Sequence, residues 1–254
     1  MSLEVPRLRM FAGPNGSGKS TIKEIINKEL LGIYINPDEI EKEIKEYSFI
    51  EFSNYGFETN KVEVLDFFAN STLLKSVDLL EEVSYLKYND DKLIFSNVEV
   101  NSYFASVCAD FIRKKLLETR KSFTFETVMS SYDKIELLKL AKKLGYRNYL
   151  YYVATSDPII NISRVKNRVA LRGHDVPEDK IISRYYRSLE YLKVAVKFSD
   201  RAYIFDNSSS ERTWICEITD GTKVDMKVDN IPKWVYENLL DVKDKIYTRD
   251  ILLC

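Results

Sequence analysis

Histidine is almost missing from this chain: His174 is the one imidazole in 254 residues. A metal site built from several imidazoles is thereby excluded, and a Ser-His-Asp hydrolase would rest on that single side chain. Cysteine is scarce too. Cys108, Cys216 and Cys254 are widely spaced, odd in number and without a C-x-x-C pair. That pattern argues against a disulfide framework and a thiolate metal site, and it fits a reducing, cytoplasmic setting. No apolar run approaches the ~18 residues that a membrane-spanning helix needs. The glycine-rich stretch from residue 13 comes too early to leave room for a secretory signal. Charge of one sign is not in excess either, since 38 Lys and Arg against 39 Asp and Glu give a net charge of −1. A general nucleic-acid binder would be basic overall, so nucleic acid is not the expected partner. The remaining class is a globular protein long enough to bury a sizeable core.

Glycine is the last scarcity, and its placement is informative. Of 8 Gly, three (Gly13, Gly16 and Gly18) fall together in "FAGPNGSGKST". The stretch satisfies G-x-x-x-x-G-K-[ST] through Gly13, Gly18, Lys19 and Ser20. Backbone amides from Gly13 through Pro14, Asn15, Gly16, Ser17 and Gly18 to Thr21 can turn inward around phosphate oxygens, because glycine tolerates positive φ and close approach. In this pattern Lys19 reaches the β- and γ-phosphates and the Ser20 hydroxyl ligates Mg²⁺. The flanks agree. "RLRMFA" reads as a buried strand, and "STIKEIINKELL" carries helical apolar spacing, so a helix over 18–30 is expected. The plainer alternative is a strand-to-helix turn with no ligand, but the complete motif with both flanks correct favours a nucleotide-binding P-loop. No N-K-x-D sequence for reading guanine occurs, so ATP is the expected nucleotide.

Along the chain, candidate strands at 7–12, 33–36, 122–126, 147–154 and 201–206 alternate with helical patterns at 37–46, 61–86, 102–120, 132–144, 157–171 and 177–198. Such alternation predicts an α/β fold of the P-loop NTPase type, a mostly parallel sheet flanked by helices. The span 47–121 is long for one crossover and is expected as a helical insertion within a kinase-like domain over 1–210. Residues 211–254 read as an extension, a β-hairpin across Asp220-Gly221 followed by a short helix with Pro232 in its first turn.

Several polar residues sit where such a sheet presents its ligand, beyond the carboxyl ends of the strands. "NPDEI" places Asp38 after the second strand. It is either an acid complementing a helix dipole or a general base acting on a substrate hydroxyl, and the P-loop favours the second. Glu126 and Thr127 end "FTFET"; Glu126 either caps a helix or meets a polar ligand. Arg164, Arg168 and Arg172 recur every four residues, in a stretch where 164–187 holds seven Lys or Arg against three acids. A solvated basic face is the bland reading. The interruption "RGHDVP", with His174 in the turn, favours a lid that brings arginines to transferred phosphate. The aromatics of "YSFIEFSNYGF" read as core before they read as a stacking site. In "YIFDNSS", Asp206 is either a Walker-B-like acid or a turn former, and Asn207 and Ser208 either lie under the adenine or form the turn.

Taken in order, "GPNGSGKST", "NPDEI", "FTFETVMS", "RVKNRVALRGHDVPEDKIISRYYRSL" and "YIFDNS" resemble the zeta toxin family of P-loop kinases, over about residues 7 to 208. That resemblance implies an ATP- and Mg²⁺-dependent transfer of phosphate to a sugar hydroxyl of UDP-N-acetylglucosamine, and a protein antitoxin as partner. It implies Asp38 as general base, Glu126 and Thr127 as acceptor-binding residues, Lys19 and Ser20 as phosphate and metal groups, and Arg164 and Arg172 as lid arginines. Two other classes stay open on the residues alone: a P-loop ATPase switch acting on a protein partner, and an enzyme that phosphorylates nucleic-acid ends.

Overall fold

"RLRMFA" forms the first strand, β1 (Arg7–Ala12), buried from Leu8 onward. A computed structural model describes residues 5–24, 26–171, 173 and 175–240. The chain divides into two compact units, one of residues 1–32 with 124–254 and one of 33–123. After β1 and the glycine-rich loop, the expected long helix over 18–30 does not form. Lys19–Glu24 is instead a 3-10 turn, and a separate α1 (Lys28–Leu31) starts behind an Asn27 cap. The hydroxyls explain part of this. Thr21 Oγ1 donates to Gly18 O at 2.7 Å, a local bond that competes with regular helix hydrogen bonding.

The second unit begins with β2 (Ile33–Ile35) and α2 (Pro37–Tyr47). It continues through β3 (Phe49–Glu51), α3 (Lys61–Ala69), α4 (Thr72–Lys75), β4 (Lys87–Asn89), β5 (Lys92–Ile94) and α5 (Ser102–Glu118). Two expectations are corrected here. The stretch 47–121 is not purely helical, because β3, β5 and β4 make a three-stranded antiparallel sheet. The tight turn of its β4–β5 hairpin is made by Asp90 and Asp91 at positive φ, 47° and 62°, with no glycine to announce it. The helical pattern over 61–86 is also broken. Asn70 closes α3, and the Ser71 side chain accepts from Leu74 N at 3.2 Å to open α4. The core of this unit is aromatic: Phe111 of α5 meets Phe52, Phe57 and Phe67 at centroid distances of 5.0, 6.1 and 5.2 Å. Phe52 and Phe57 are therefore packing residues, whereas Tyr47 is exposed.

The chain returns to the first unit with β6 (Phe123–Thr127), α6 (Asp133–Lys143), β7 (Arg147–Ala154), α7 (Pro158–Ala170), α8 (Glu178–Lys197) and β8 (Arg201–Asp206). A hairpin, β9 (Thr213–Thr219) and β10 (Lys223–Met226), and α9 (Lys233–Asn238) follow. The strand order through this unit is β10-β9-β8-β7-β1-β6. β1 and β8 both run parallel to β7, and the hairpin adds antiparallel to β8. The α/β architecture with a mostly parallel central sheet is thus present. Asp220 and Gly221 make the hairpin turn at φ 51° and 69°, the twist that a two-residue connection needs.

Helix α9 is fastened to the end of the parallel strands. Trp234, 4% exposed, donates from Nε1 to Asp206 Oδ2 at 2.6 Å and packs 6.1 Å from the Tyr152 ring. Trp234→Phe keeps the packing but strips a buried carboxylate of one donor. The expected cost is about 1–3 kcal/mol, read as a lower urea midpoint with an unchanged m-value.

Candidate functional site

Parallel strands that end side by side leave a crevice beyond their carboxyl ends. The loop after β1 occupies that edge of the first unit. Its glycines are required by what surrounds them. Gly13 has φ 142°, and a Cβ there would collide with the Val153 carbonyl oxygen of β7. At Gly18 (φ 93°) a Cβ would run into the side-chain amide of Asn207. Both positions demand bare backbone, as a loop that lays its amides against a ligand requires.

The loop is held from outside at two points. Asn161, fully buried on α7, donates from Nδ2 to Asn15 O at 2.5 Å and accepts from the Thr155 hydroxyl at the end of β7. Asn207, just past β8, donates from Nδ2 to Ser17 O at 2.8 Å and from its backbone to Ala154 O at 2.8 Å. Each amide side chain replaces a backbone ladder that a loop cannot supply. Within the loop, Ser17 N donates to Pro14 O at 3.2 Å and Lys19 Nζ to the same oxygen at 3.0 Å.

Two expected site residues meet here. Ser20 Oγ donates to Glu126 Oε2 at 3.3 Å. Glu126 is 7% exposed at the end of β6, so a buried carboxylate stands beside the hydroxyl expected to carry the metal. Its neighbour Thr127 accepts from Met129 N at 3.0 Å, shaping the turn out of the strand. Arg164, half-buried on α7, donates from Nη2 to Ser209 O at 3.1 Å, and its buried Nη1 has no hydrogen-bond partner among the described residues. Asn15 Oδ1 and Ser17 Oγ are likewise buried and unpartnered among the described residues. Arg168 is on the same helix, and Lys166 pairs with Glu178 of α8 at 2.6 Å. Arg172 and His174 lie outside the described residues.

Asp38 belongs to the other unit. It is exposed in the first turn of α2, where the Asn36 cap accepts from its backbone N at 2.9 Å. Its cap-like placement and its candidacy as a base therefore coexist in the local geometry.

Three residues take parts that the sequence does not predict. Asn207 braces the loop, where it had been one of three turn or nucleotide candidates. Asp206 is not available as a metal acid: Trp234, the Ser208 amide (2.9 Å) and the Ser208 hydroxyl (2.9 Å) all donate to it. Arg212 donates from Nη1 to Thr21 Oγ1 at 2.7 Å. Among the described residues, neither thiol is placed for chemistry. Cys108 and Cys216 are buried, and burial pushes the Cys216 thiol up to about 12 and that of Cys108 still higher. A cavity of about 330 Å³ between α7 and α8 is lined by Ile162, Val165, Val169 and Val176 together with Lys166, Asp175 and Glu178, and includes no phosphate-loop residue.

These features define a P-loop α/β protein of the nucleotide-binding class. The zeta toxin family model matches residues 85–217, just over half of the chain, and the chain belongs to that family. The match starts after the phosphate loop, which is carried by the N-terminal segment. An uncharacterized protein of Haemophilus influenzae is 35% identical over 63 residues, which cover 25% of this chain and 45% of that protein. Among solved structures, AvrRxo1-ORF1:-ORF2 with ATP superposes with a TM-score of 0.53 at 16% identity, over 96% of this chain and 66% of that one. The PezAT chromosomal toxin–antitoxin system of Streptococcus pneumoniae superposes with a TM-score of 0.52 at 15% identity, covering 94% and 80%. At such identities the likeness is one of fold. The chain spans less than half of the Haemophilus relative and about two thirds of the AvrRxo1 chain. Among the described residues, no helix is long and apolar enough to cross a membrane, and no three His, Cys, Asp or Glu cluster as metal ligands.

Gly13→Ala tests the loop geometry. The added methyl meets a backbone carbonyl in a conformation alanine avoids, and about 3 kcal/mol or more of stability should be lost. A calorimetric melt that moved by less than a degree would show that the loop has a different shape.

Proposed function

We propose that the chain transfers the γ-phosphoryl group of ATP to a hydroxyl of a small, nucleotide-linked sugar such as UDP-N-acetylglucosamine, in a cytoplasmic setting. The observation that carries this reading is the loop from Gly13 to Thr21. Its bare glycines, braced by Asn161 and Asn207, are joined at Ser20 to the buried carboxylate of Glu126. Membership of the zeta toxin family and the fold shared with an ATP-bound structure support it.

A hydroxyl and a carboxylate are hard oxygen donors of the kind Mg²⁺ takes, and Mg²⁺ is held by one or two such groups with substrate phosphates, so a richer cluster is not needed. Bound there, the ion would neutralise charge on the β- and γ-phosphates. Ser20 and Glu126 would hold it, which moves Glu126 toward the metal from the acceptor role expected of it. Lys19 leaves Pro14 O for the β- and γ-phosphates. Asp38 takes the proton of the acceptor hydroxyl, whose oxygen bonds to the γ-phosphorus as the bond to the β,γ-bridging oxygen breaks and ADP leaves. Arg164, with an unspent buried donor, and Arg172 neutralise the transferred group, and Thr127 contacts the acceptor. The toxin–antitoxin assembly among the similar structures supports a protein partner that restrains the activity.

Asp38→Asn separates the base from the capping acid. It keeps size and hydrogen bonding but cannot accept the proton, so acceptor-dependent turnover should fall about a hundredfold or more with ATP affinity little changed. A dipole role alone would cost only about 0.3–1 kcal/mol of stability and leave turnover within a few-fold of the parent. Lys19→Ala, measured alongside, should abolish transfer.

A further inference from the structure

Arg212 has no part in the roles assigned above. It lies in the loop between β8 and β9, yet its guanidinium reaches the phosphate loop across 191 positions of sequence to donate to Thr21 Oγ1. The Thr21 hydroxyl has already given its own hydrogen to Gly18 O, so toward Arg212 it acts as acceptor. The guanidinium is seated over the Phe205 ring, 5.6 Å from its centroid, and Phe205 is stacked on Trp214 at 6.4 Å and 27°. A long, flexible side chain is thus held in place by rings while one end touches the residue that follows the phosphate motif.

A guanidinium offers five donors. One is spent on Thr21, and among the described residues the others have no hydrogen-bond partner. A neutral hydroxyl is a poor match for a half-buried cation at an anion-binding loop, whereas phosphate takes charge-assisted hydrogen bonds about twice as strong. The loop's own cation, Lys19, serves the β- and γ-phosphates, which leaves the α-phosphate without a cation from the loop.

We propose that Arg212 is a nucleotide-binding residue whose guanidinium, held on Phe205, engages the α-phosphate beside Thr21. The assignment rests on the reading of the chain as an ATP-dependent kinase. It makes the segment after β8 part of the nucleotide site.

The test titrates ADP calorimetrically into the parent, Arg212→Ala, Arg212→Lys and Lys19→Ala proteins, with melting temperatures recorded without nucleotide. Arg212→Ala should weaken ADP binding about ten- to a hundredfold, Arg212→Lys should recover part of the loss, and the nucleotide-free melts should stay within a few degrees of the parent. Binding by Arg212→Ala within twofold of the parent, while Lys19→Ala is weakened, overturns the assignment and leaves the kinase reading standing. Unaltered binding by Lys19→Ala as well overturns the kinase reading itself. If Arg212→Lys is no better than Arg212→Ala, the side chain acts through its planar face on the base, and the α-phosphate assignment falls.

Discussion

A loop of bare backbone is costly to hold in one shape. Fixing each residue's dihedrals costs on the order of 1–2 kcal/mol, and glycine, with the most freedom, loses the most. The stretch from Gly13 to Gly18 has little within itself to offset that cost beyond the Ser17 and Lys19 bonds to Pro14 O. What holds it is a pair of amide side chains, the fully buried Asn161 and the partly buried Asn207, each donating to a loop carbonyl. The strands matter functionally because they bring those two residues up against the loop. Asn207 leaves the end of β8 and Asn161 sits a turn into the helix that follows β7, so the parallel arrangement of β1, β7 and β8 supplies both braces at once.

The braces are themselves supported. Thr155 donates its hydroxyl to Asn161, and its carbonyl accepts from Tyr185 of α8 at 2.6 Å. Ser208, next to Asn207, is tied to Asp206 and accepts from Ser156 N at 2.8 Å. Asp206 in turn is gripped by Trp234 of α9. Mechanical continuity therefore runs from the C-terminal helix through an acid that is spent on structure to the asparagine that holds the phosphate loop. In this arrangement Asp206 has no oxygen free of a donor's claim, and the buried acid beside the Ser20 hydroxyl is Glu126.

Much of the fold was legible in the sequence because it rests on local patterns. Apolar runs marked β1, β7 and β8 to the residue, and the helical patterns over 37–46 and 157–171 marked α2 and α7 to within a residue at each end. The glycine motif gave the loop, and Asp220-Gly221 gave the hairpin. The misreadings are equally physical. Apolar spacing after Gly18 suggested a helix, but spacing does not register a hydroxyl at Thr21 that bonds its own backbone. The Asp90-Asp91 turn lacks the glycine by which such hairpins are recognised, so the small sheet of the second unit was missed. The bracing contact of Asn207 with Ser17 and the contact of Arg212 with Thr21 span 190 and 191 positions; no window along a chain contains both ends of such a contact. The bond of Trp234 to Asp206 escapes for the same reason at shorter range.

A braced phosphate loop serves switches as well as kinases, so phosphoryl transfer rather than nucleotide binding alone is the property that decides between them. The most direct measurement is ADP release by the purified chain with ATP and Mg²⁺, alone and with a panel of sugar nucleotides, each reaction analysed for a phosphorylated sugar. Phosphoryl transfer to a sugar nucleotide predicts ADP release that depends on an acceptor and matches the phosphorylated product mole for mole. Slow ADP release at one rate, whatever acceptor is present, with no phosphorylated product would contradict it.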